Sequence, residues 1–201
     1  MALPPVLLAV AGLTHPMDLS RATSHHWLVL HVVLIPVFPL LGVGLWVLLR
    51  GERGPVAGVA RVAAFVYACF YSALDTVNGV AVGMVLWRTP SDQATDPVAG
   101  LRPLLDLGNA LGWVGSWAYL LGAALTSALL IRRRGRQALP GAVLTIAASV
   151  SFLDSHIYWP RGVLTMVVLA AGLVLLTRGQ RPASAAGSAW AGRRPAAAQQ
   201  G

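Results

Sequence analysis

Long apolar runs separated by short polar segments dominate the chain. Five of these runs approach or exceed the roughly 20 residues that an α-helix needs to cross the hydrocarbon core of a bilayer. They cover residues 27–49, 62–87, 104–131, 139–158 and 160–177. The pattern predicts an all-α, polytopic integral membrane protein in which five transmembrane helices form one bundle.

The segments on either side of the predicted transmembrane domain (27–177) have different compositions. Residues 3–13 are apolar but too short to cross a bilayer. We therefore interpret residues 1–26 as an extracytoplasmic segment with a short interfacial helix, with an uncleaved signal-like segment as the alternative. Residues 178–201 are rich in Arg, Ala and Gly, which predicts a disordered cytoplasmic tail.

Charge distribution predicts the orientation of the bundle. The sequence is 56% hydrophobic and only 11% charged, with a net charge of +8 from seven acidic and fifteen basic residues. The basic residues are all arginines and lie between the apolar runs, which favours a membrane protein over a nucleic-acid-binding one. Eleven fall on one predicted side, namely Arg50, Arg53, Arg61, Arg132, Arg133, Arg134, Arg136, Arg178, Arg181, Arg193 and Arg194. The positive-inside rule then predicts an outside N-terminus and a cytoplasmic C-terminus, in a multi-pass protein of the inner (plasma) membrane.

Residue usage points to a source for the protein. Lysine is absent, while Ala, Gly, Val and Leu are abundant. We interpret this bias as that of a GC-rich genome and expect a bacterial protein.

Polar residues inside the predicted spans recur at helical spacing. Small and hydroxyl residues at such positions are typical of close helix packing. Asp75 is different, because it lies at the centre of its span, with no basic residue inside any span to neutralise it. We predict a proton-handling group of Asp75, Asn78 and Asn109, with structural hydrogen bonding by a neutral Asp75 as the alternative.

The histidines predict a second polar layer nearer the outer surface. All five, at positions 15, 25, 26, 31 and 156, fall on the predicted outer side. His31, His156 and Asp106 have similar predicted depths, and imidazole and carboxylate groups bind transition metals. His31 and His156 are equally candidates for the two axial ligands of a haem. Helix rise places Asp75 about 12 Å deeper than His31.

Three functions remain open at this stage. The first is a small membrane protein whose outward-facing polar cavity binds a metal ion or haem, or conducts protons. The second is a non-enzymatic scaffold or accessory subunit that binds a membrane protein partner or its own copies. The third is a metal-dependent enzyme acting on lipid head groups. Nucleotide-binding motifs are absent, and no motif decides whether the protein is an enzyme.

Overall fold

Every regular element in the described part of the chain is helical. The computed structural model describes residues 1–90 and 98–178. The predicted tail, beyond residue 178, lies outside the described residues. The helices are α1 (Leu3–Thr14), α2 (Arg21–Leu34), α3 (Pro39–Leu48), α4 (Pro55–Leu74), α5 (Val82–Arg88), α6 (Arg102–Arg134), α7 (Leu139–Ser155) and α8 (Arg161–Thr177). Short helical segments of other types connect some of them.

Three continuous helical stretches are long and apolar enough to cross a membrane. They are Arg21–Leu48, Pro55–Arg88 and Ala99–Ser155, while α1 and α8 are shorter apolar helices. The third stretch turns back on itself through the 3₁₀ segment Gly135–Ala138, where Gly135 has a φ of +62°. These stretches support the predicted membrane protein, and the all-α prediction holds for the described residues.

Two helical stretches are interrupted where they pass the bundle centre. Residues 35–38, between α2 and α3, form a turn that contains Pro36, as the proline positions predict. The carbonyl of Phe38 accepts a hydrogen bond of 3.1 Å from the Tyr67 hydroxyl. The second interruption is a π-helical segment, Asp75–Ala81, between α4 and α5. Such π segments are frequent at functional sites.

Glycines allow the helices to pack closely. A Cβ atom at Gly115 of α6 would lie 2.9 Å from the backbone nitrogen of Tyr71, and one at Gly141 of α7 would lie 2.8 Å from that of Leu176 in α8. Small residues therefore form the α4–α6 and α7–α8 contacts, as their helical spacing predicts. Five residues that recur at helical spacing along α6 are buried, namely Gly112, Ser116, Tyr119, Ala123 and Thr126.

The bundle has two chemically distinct ends. We call the end formed by the start of α2, the end of α5, the start of α6 and the end of α7 the histidine end. The opposite end, where α3, α6 and α8 finish, is the arginine end. There Arg133 donates a hydrogen bond of 3.0 Å to Glu52, and Arg61 donates to the carbonyl oxygens of Leu49 and Glu52.

Helix α1 lies along the bundle and packs on α8. A Cβ atom at Gly12 would overlap the carbonyl of Ile157, and Leu8 is completely buried. The Met1 side chain lies next to Gly44 of α3, since a Cβ atom built on that glycine would be 4.0 Å from it. The helix therefore runs from the arginine half of the bundle towards the histidine end.

Candidate metal centre

Three histidine side chains from distant parts of the sequence meet inside the bundle. One imidazole nitrogen each from His15, His31 and His156 lies within 4.8 Å of the other two. The ring centroids of His31 and His156 are 6.2 Å apart with nearly parallel planes. The His15 ring stands almost perpendicular to both, with its centroid 5.1 Å from that of His31 and 5.7 Å from that of His156. We call these three residues the histidine cluster.

Hydrogen bonds occupy the same nitrogen atom of each ring. The His31 Nδ1 atom lies 2.7 Å from the carbonyl oxygen of Trp27, and the His15 Nδ1 atom 2.8 Å from that of Pro16. The His156 Nδ1 atom lies 2.7 Å from the Tyr71 hydroxyl oxygen. A carbonyl can only accept, so His15 and His31 donate from Nδ1–H, and their Nε2 atoms carry the free lone pairs. Metal-binding histidines are typically oriented in this way.

His15 reaches the cluster because α1 docks on α8. It follows the last residue of α1, and its backbone N–H caps the helix by donating to the Gly12 carbonyl. Its side chain is 5% exposed, and its Nε2 atom has no hydrogen-bond partner in the described structure. Sequence reasoning noted His15 only as one of five histidines on the predicted outer side.

His156 follows the end of α7 in an unusual backbone conformation. Its φ is +44° and its ψ is −130°, values that a residue with a Cβ atom rarely adopts. Strained backbone of this kind costs about 1–3 kcal/mol and is concentrated at functional sites. The conformation turns the imidazole towards Tyr71 and the other two histidines.

Close packing fixes the His31 ring against the π-helical segment. A Cβ atom at Gly79 would overlap the His31 ring, so only glycine fits this position without displacing the ring. The Trp27 ring stacks on His31 with centroids 4.9 Å apart. The Trp27 indole N–H in turn donates a 3.0 Å hydrogen bond to the carbonyl oxygen of Asn78. These contacts limit the His31 ring to small movements.

Asp75 lies beside the histidine cluster. Its Oδ1 atom is 3.9 Å from Nε2 of His31, and its side chain is 1% exposed. Neither carboxylate oxygen has a hydrogen-bond partner among the described residues. An unpartnered buried carboxylate is costly, and a cation between it and the imidazoles would remove that cost.

The structure brings the side chains of Asp75 and His31 to within 3.9 Å of each other, where the predicted span ends gave a separation of about 12 Å along the bundle. The difference arises from the helix ends. Helix α2 begins at Arg21, ten residues before His31, and α5 ends at Arg88, thirteen residues after Asp75. By helix rise, His31 therefore lies about 15 Å from the start of α2, and Asp75 lies about 20 Å from the end of α5. The π-helical segment shortens the second path further, because its rise per residue is smaller.

The other predicted site residues lie at the edge of this region or outside it. Asn78 donates a 2.9 Å hydrogen bond to the Asn109 side-chain oxygen, so these two residues meet as predicted for the polar group around Asp75. Asp106 is exposed and does not line the cavity described below. His26 contacts the Thr14 carbonyl, and His25 packs on Trp87. The structure does not bring Asp106, His25 or His26 into the cluster.

A cavity of about 580 Å³ adjoins the cluster. Asp75, Asn78, His31, His156 and Tyr158 contribute polar groups to its walls. Volumes of 300–1,000 Å³ are usual for small-molecule sites. The cavity therefore gives any ion held by the cluster access to a further ligand or substrate.

The cluster has the dimensions of an ion site. A haem held by His31 and His156 would have its porphyrin ring between the two imidazoles. The His15 ring is in contact distance of both, which obstructs that space. A single metal ion with three imidazole ligands uses all three rings and needs no such space.

No protein-family model matches the chain, and no curated protein or solved structure is significantly similar to it. Inference about function therefore depends on the geometry of the cluster and the cavity.

Proposed function

We propose that this is an integral membrane protein that binds one divalent transition metal ion through His15, His31 and His156. The observation that carries the proposal is the meeting of two buried imidazoles and one partly buried imidazole, each with its Nδ1 atom already hydrogen-bonded. His15 and His31 then present Nε2 lone pairs to one ion, and His156 does so when its Nδ1–H donates to the Tyr71 hydroxyl.

The ligand chemistry favours Zn²⁺ or Cu²⁺. Both ions bind neutral imidazole strongly. With bonds of about 2.0–2.1 Å, tetrahedral geometry puts ligand nitrogens about 3.4 Å apart. The present separations, within 4.8 Å, require movements of about an ångström or less per ring. Asp75, 3.9 Å from His31 Nε2, supplies a negative charge next to the ion.

The proposed site has an open position. Three protein ligands leave the fourth position of a tetrahedral ion vacant, which is the arrangement of catalytic rather than structural zinc sites. His31 and His156 both line the cavity. A water or substrate atom bound to the ion from the cavity would occupy that position. This supports a site for exchange or catalysis over a purely structural one.

We place the arginine end in the cytoplasm, with five crossings of a bacterial inner membrane. The crossings are α2–α3, α4–α5, α6, α7 and α8, and the positive-inside rule orients them. The C-terminus is then cytoplasmic. Because α1 runs from the arginine half of the bundle, the proposal puts Met1 on the cytoplasmic side too, in place of the outside N-terminus that five crossings alone predict.

Metal content of the detergent-purified protein tests the proposal. The protein is stripped with a chelator, reloaded with Zn²⁺, desalted and analysed by inductively coupled plasma mass spectrometry. We expect about one zinc per chain, lost in each of the variants His15→Ala, His31→Ala and His156→Ala. The exposed histidines give matched controls, since His25→Ala and His26→Ala should retain the ion.

Replacement of zinc by Co²⁺ gives an independent reading. Tetrahedral Co²⁺ has visible absorption bands that distinguish it from six-coordinate Co²⁺ in solution. The bands should be present in the wild type and in His26→Ala and absent in His15→Ala. Zinc retention that is equal in all five variants would refute the proposal, and a metal-free wild type would favour the scaffold function.

A further inference from the structure

Two hydrogen-bond acceptors lie close together in the cavity wall with no donor between them. The Nε2 atom of His31 carries a lone pair, because the Nδ1–H group of the same ring donates to the Trp27 carbonyl. The Oδ1 atom of Asp75 is 3.9 Å from this Nε2 atom, which is too far for a direct hydrogen bond. Neither oxygen of Asp75 has a hydrogen-bond partner in the described ranges. One nitrogen atom with two or more N–H bonds would satisfy both acceptors.

The charge of the cavity wall favours a cationic donor. The described lining contains no arginine, and the chain contains no lysine. The Asp154 carboxylate, also in the lining, is already paired with Arg161 at 2.6 Å, whereas Asp75 contacts only the imidazole of His31. Hydrogen bonds from a charged donor are about twice as strong as neutral ones. An ammonium group therefore suits Asp75 better than a neutral amide or hydroxyl group.

Aromatic rings surround the same acceptors. The Trp27 ring stacks on His31, and the backbone N–H of Asp75 donates to the carbonyl of Tyr71, one helical turn earlier. The aromatic residues of the described lining are Trp27, Tyr71, Trp113, Phe152 and Tyr158. The faces of such rings attract cations. A zinc ion in the histidine cluster would fill little of the cavity of about 580 Å³, whereas an organic cation would contact its aromatic walls.

We propose that the metal-free protein binds a primary ammonium compound with a small aromatic body in this cavity. The ammonium group donates to Asp75 and to Nε2 of His31, and the aromatic body lies against the rings of Trp113 and Phe152. This ligand class goes beyond the proposed metal site. Because zinc and the ammonium group use the same lone pair on His31, each excludes the other.

Equilibrium dialysis of the chelator-stripped, detergent-purified protein against radiolabelled 2-phenylethylamine tests this inference. We expect saturable binding to the wild type and at least tenfold weaker binding to Asp75→Asn, which keeps the side-chain size and removes the charge. The control is Asp106→Asn, the same substitution at an exposed carboxylate outside the described lining, which should bind as the wild type does. The neutral analogue 2-phenylethanol should compete at least tenfold less well than unlabelled 2-phenylethylamine.

Two tryptophans on α6 give a second matched pair. Trp113 lines the cavity, whereas Trp117, one turn further along the helix, is similarly exposed and lies outside the described lining. We expect Trp113→Leu to bind 2-phenylethylamine at least threefold more weakly than the wild type, and Trp117→Leu to bind it equally well. Circular dichroism and thermal unfolding show whether each variant is folded, and the neutral competitor tests the charge requirement on the wild type alone.

Four results would overturn the inference: no saturable binding to the stripped wild type, equal binding by the two asparagine variants, equal binding by the two leucine variants, or equal competition by 2-phenylethanol. Loading with one zinc per chain should weaken amine binding at least tenfold, and undiminished binding there would contradict the contact with His31. Amine binding by a protein that retains no zinc contradicts only the metal site. Zinc binding without amine binding contradicts only this inference.

Discussion

Gly79 gives a sharp test of whether the histidine cluster is built for metal binding. A Cβ atom at this position would overlap the His31 ring. Ordinary carbon contacts are about 3.5–4.0 Å, so the ring or the π-helical segment must move by about an ångström or more. Metal–ligand distances tolerate about 0.2 Å. Removing a residue that orients a metal-binding histidine typically weakens metal binding about 10–100-fold. We expect Gly79→Ala, which displaces the ring itself, to weaken zinc binding by at least that much.

The matched control is Gly58→Ala on α4. A Cβ atom at Gly58 meets no other atom within 4 Å, so alanine fits there without displacement. Overpacking at Gly79 should also lower the free energy of unfolding by about 1–3 kcal/mol, whereas Gly58→Ala should not lower it. Zinc affinity is measured by competition with a chromophoric chelator, and stability by denaturant titration in mixed micelles. Wild-type zinc affinity in Gly79→Ala would refute the reasoning, as would an equal loss in Gly58→Ala.

Three further predictions follow from the site and the topology. Tyr71→Phe removes the hydroxyl beside His156 Nδ1 and should weaken zinc binding about 10–100-fold in the same chelator competition. Tyr67→Phe is the control, because it loses only the hydrogen bond to the Phe38 carbonyl and should keep the wild-type zinc affinity. Asp75→Asn removes the negative charge beside the cluster, so we expect a lower zinc affinity with an unchanged circular dichroism spectrum. An unchanged zinc affinity would contradict the proposal that the Asp75 charge stabilises the bound ion. An epitope tag placed before Met1 should be digested by protease in inside-out vesicles and protected in right-side-out vesicles, and the reverse result would restore the outside N-terminus.

The helical architecture could be predicted largely from local sequence. Apolar runs of sufficient length predict helices, and the prolines at positions 36 and 39 predict the interruption that the structure has at 35–38. Helix α2 begins at Arg21, six residues before the apolar run that starts at Trp27, because the first turns of α2 contain polar residues that interrupt the apolar pattern. Ser20 caps that helix by accepting from the Thr23 backbone N–H, a local signal that the hydropathy pattern does not contain.

The composition of the candidate site was only partly predictable. His31, His156 and Asp75 could be identified because polar residues inside apolar spans are unusual. His15 could not be placed, since its position depends on how α1 docks on α8, and that contact is between residues far apart in sequence. The convergence of Asp75 with His31 depends on helix ends and on a π-helical segment, which residue spacing does not specify. Asp106 had the right chemistry and depth, but its position on the exposed side of α6 takes it away from the cluster.

X-ray absorption spectroscopy of the zinc-loaded protein tests the central claim most directly, because it counts the ligands of the ion. The account predicts three imidazole nitrogens at about 2.0–2.1 Å from zinc in the wild type and two in any preparation of His15→Ala that retains the ion. A wild-type spectrum with fewer than three imidazoles, or one unchanged by His15→Ala, would contradict the account.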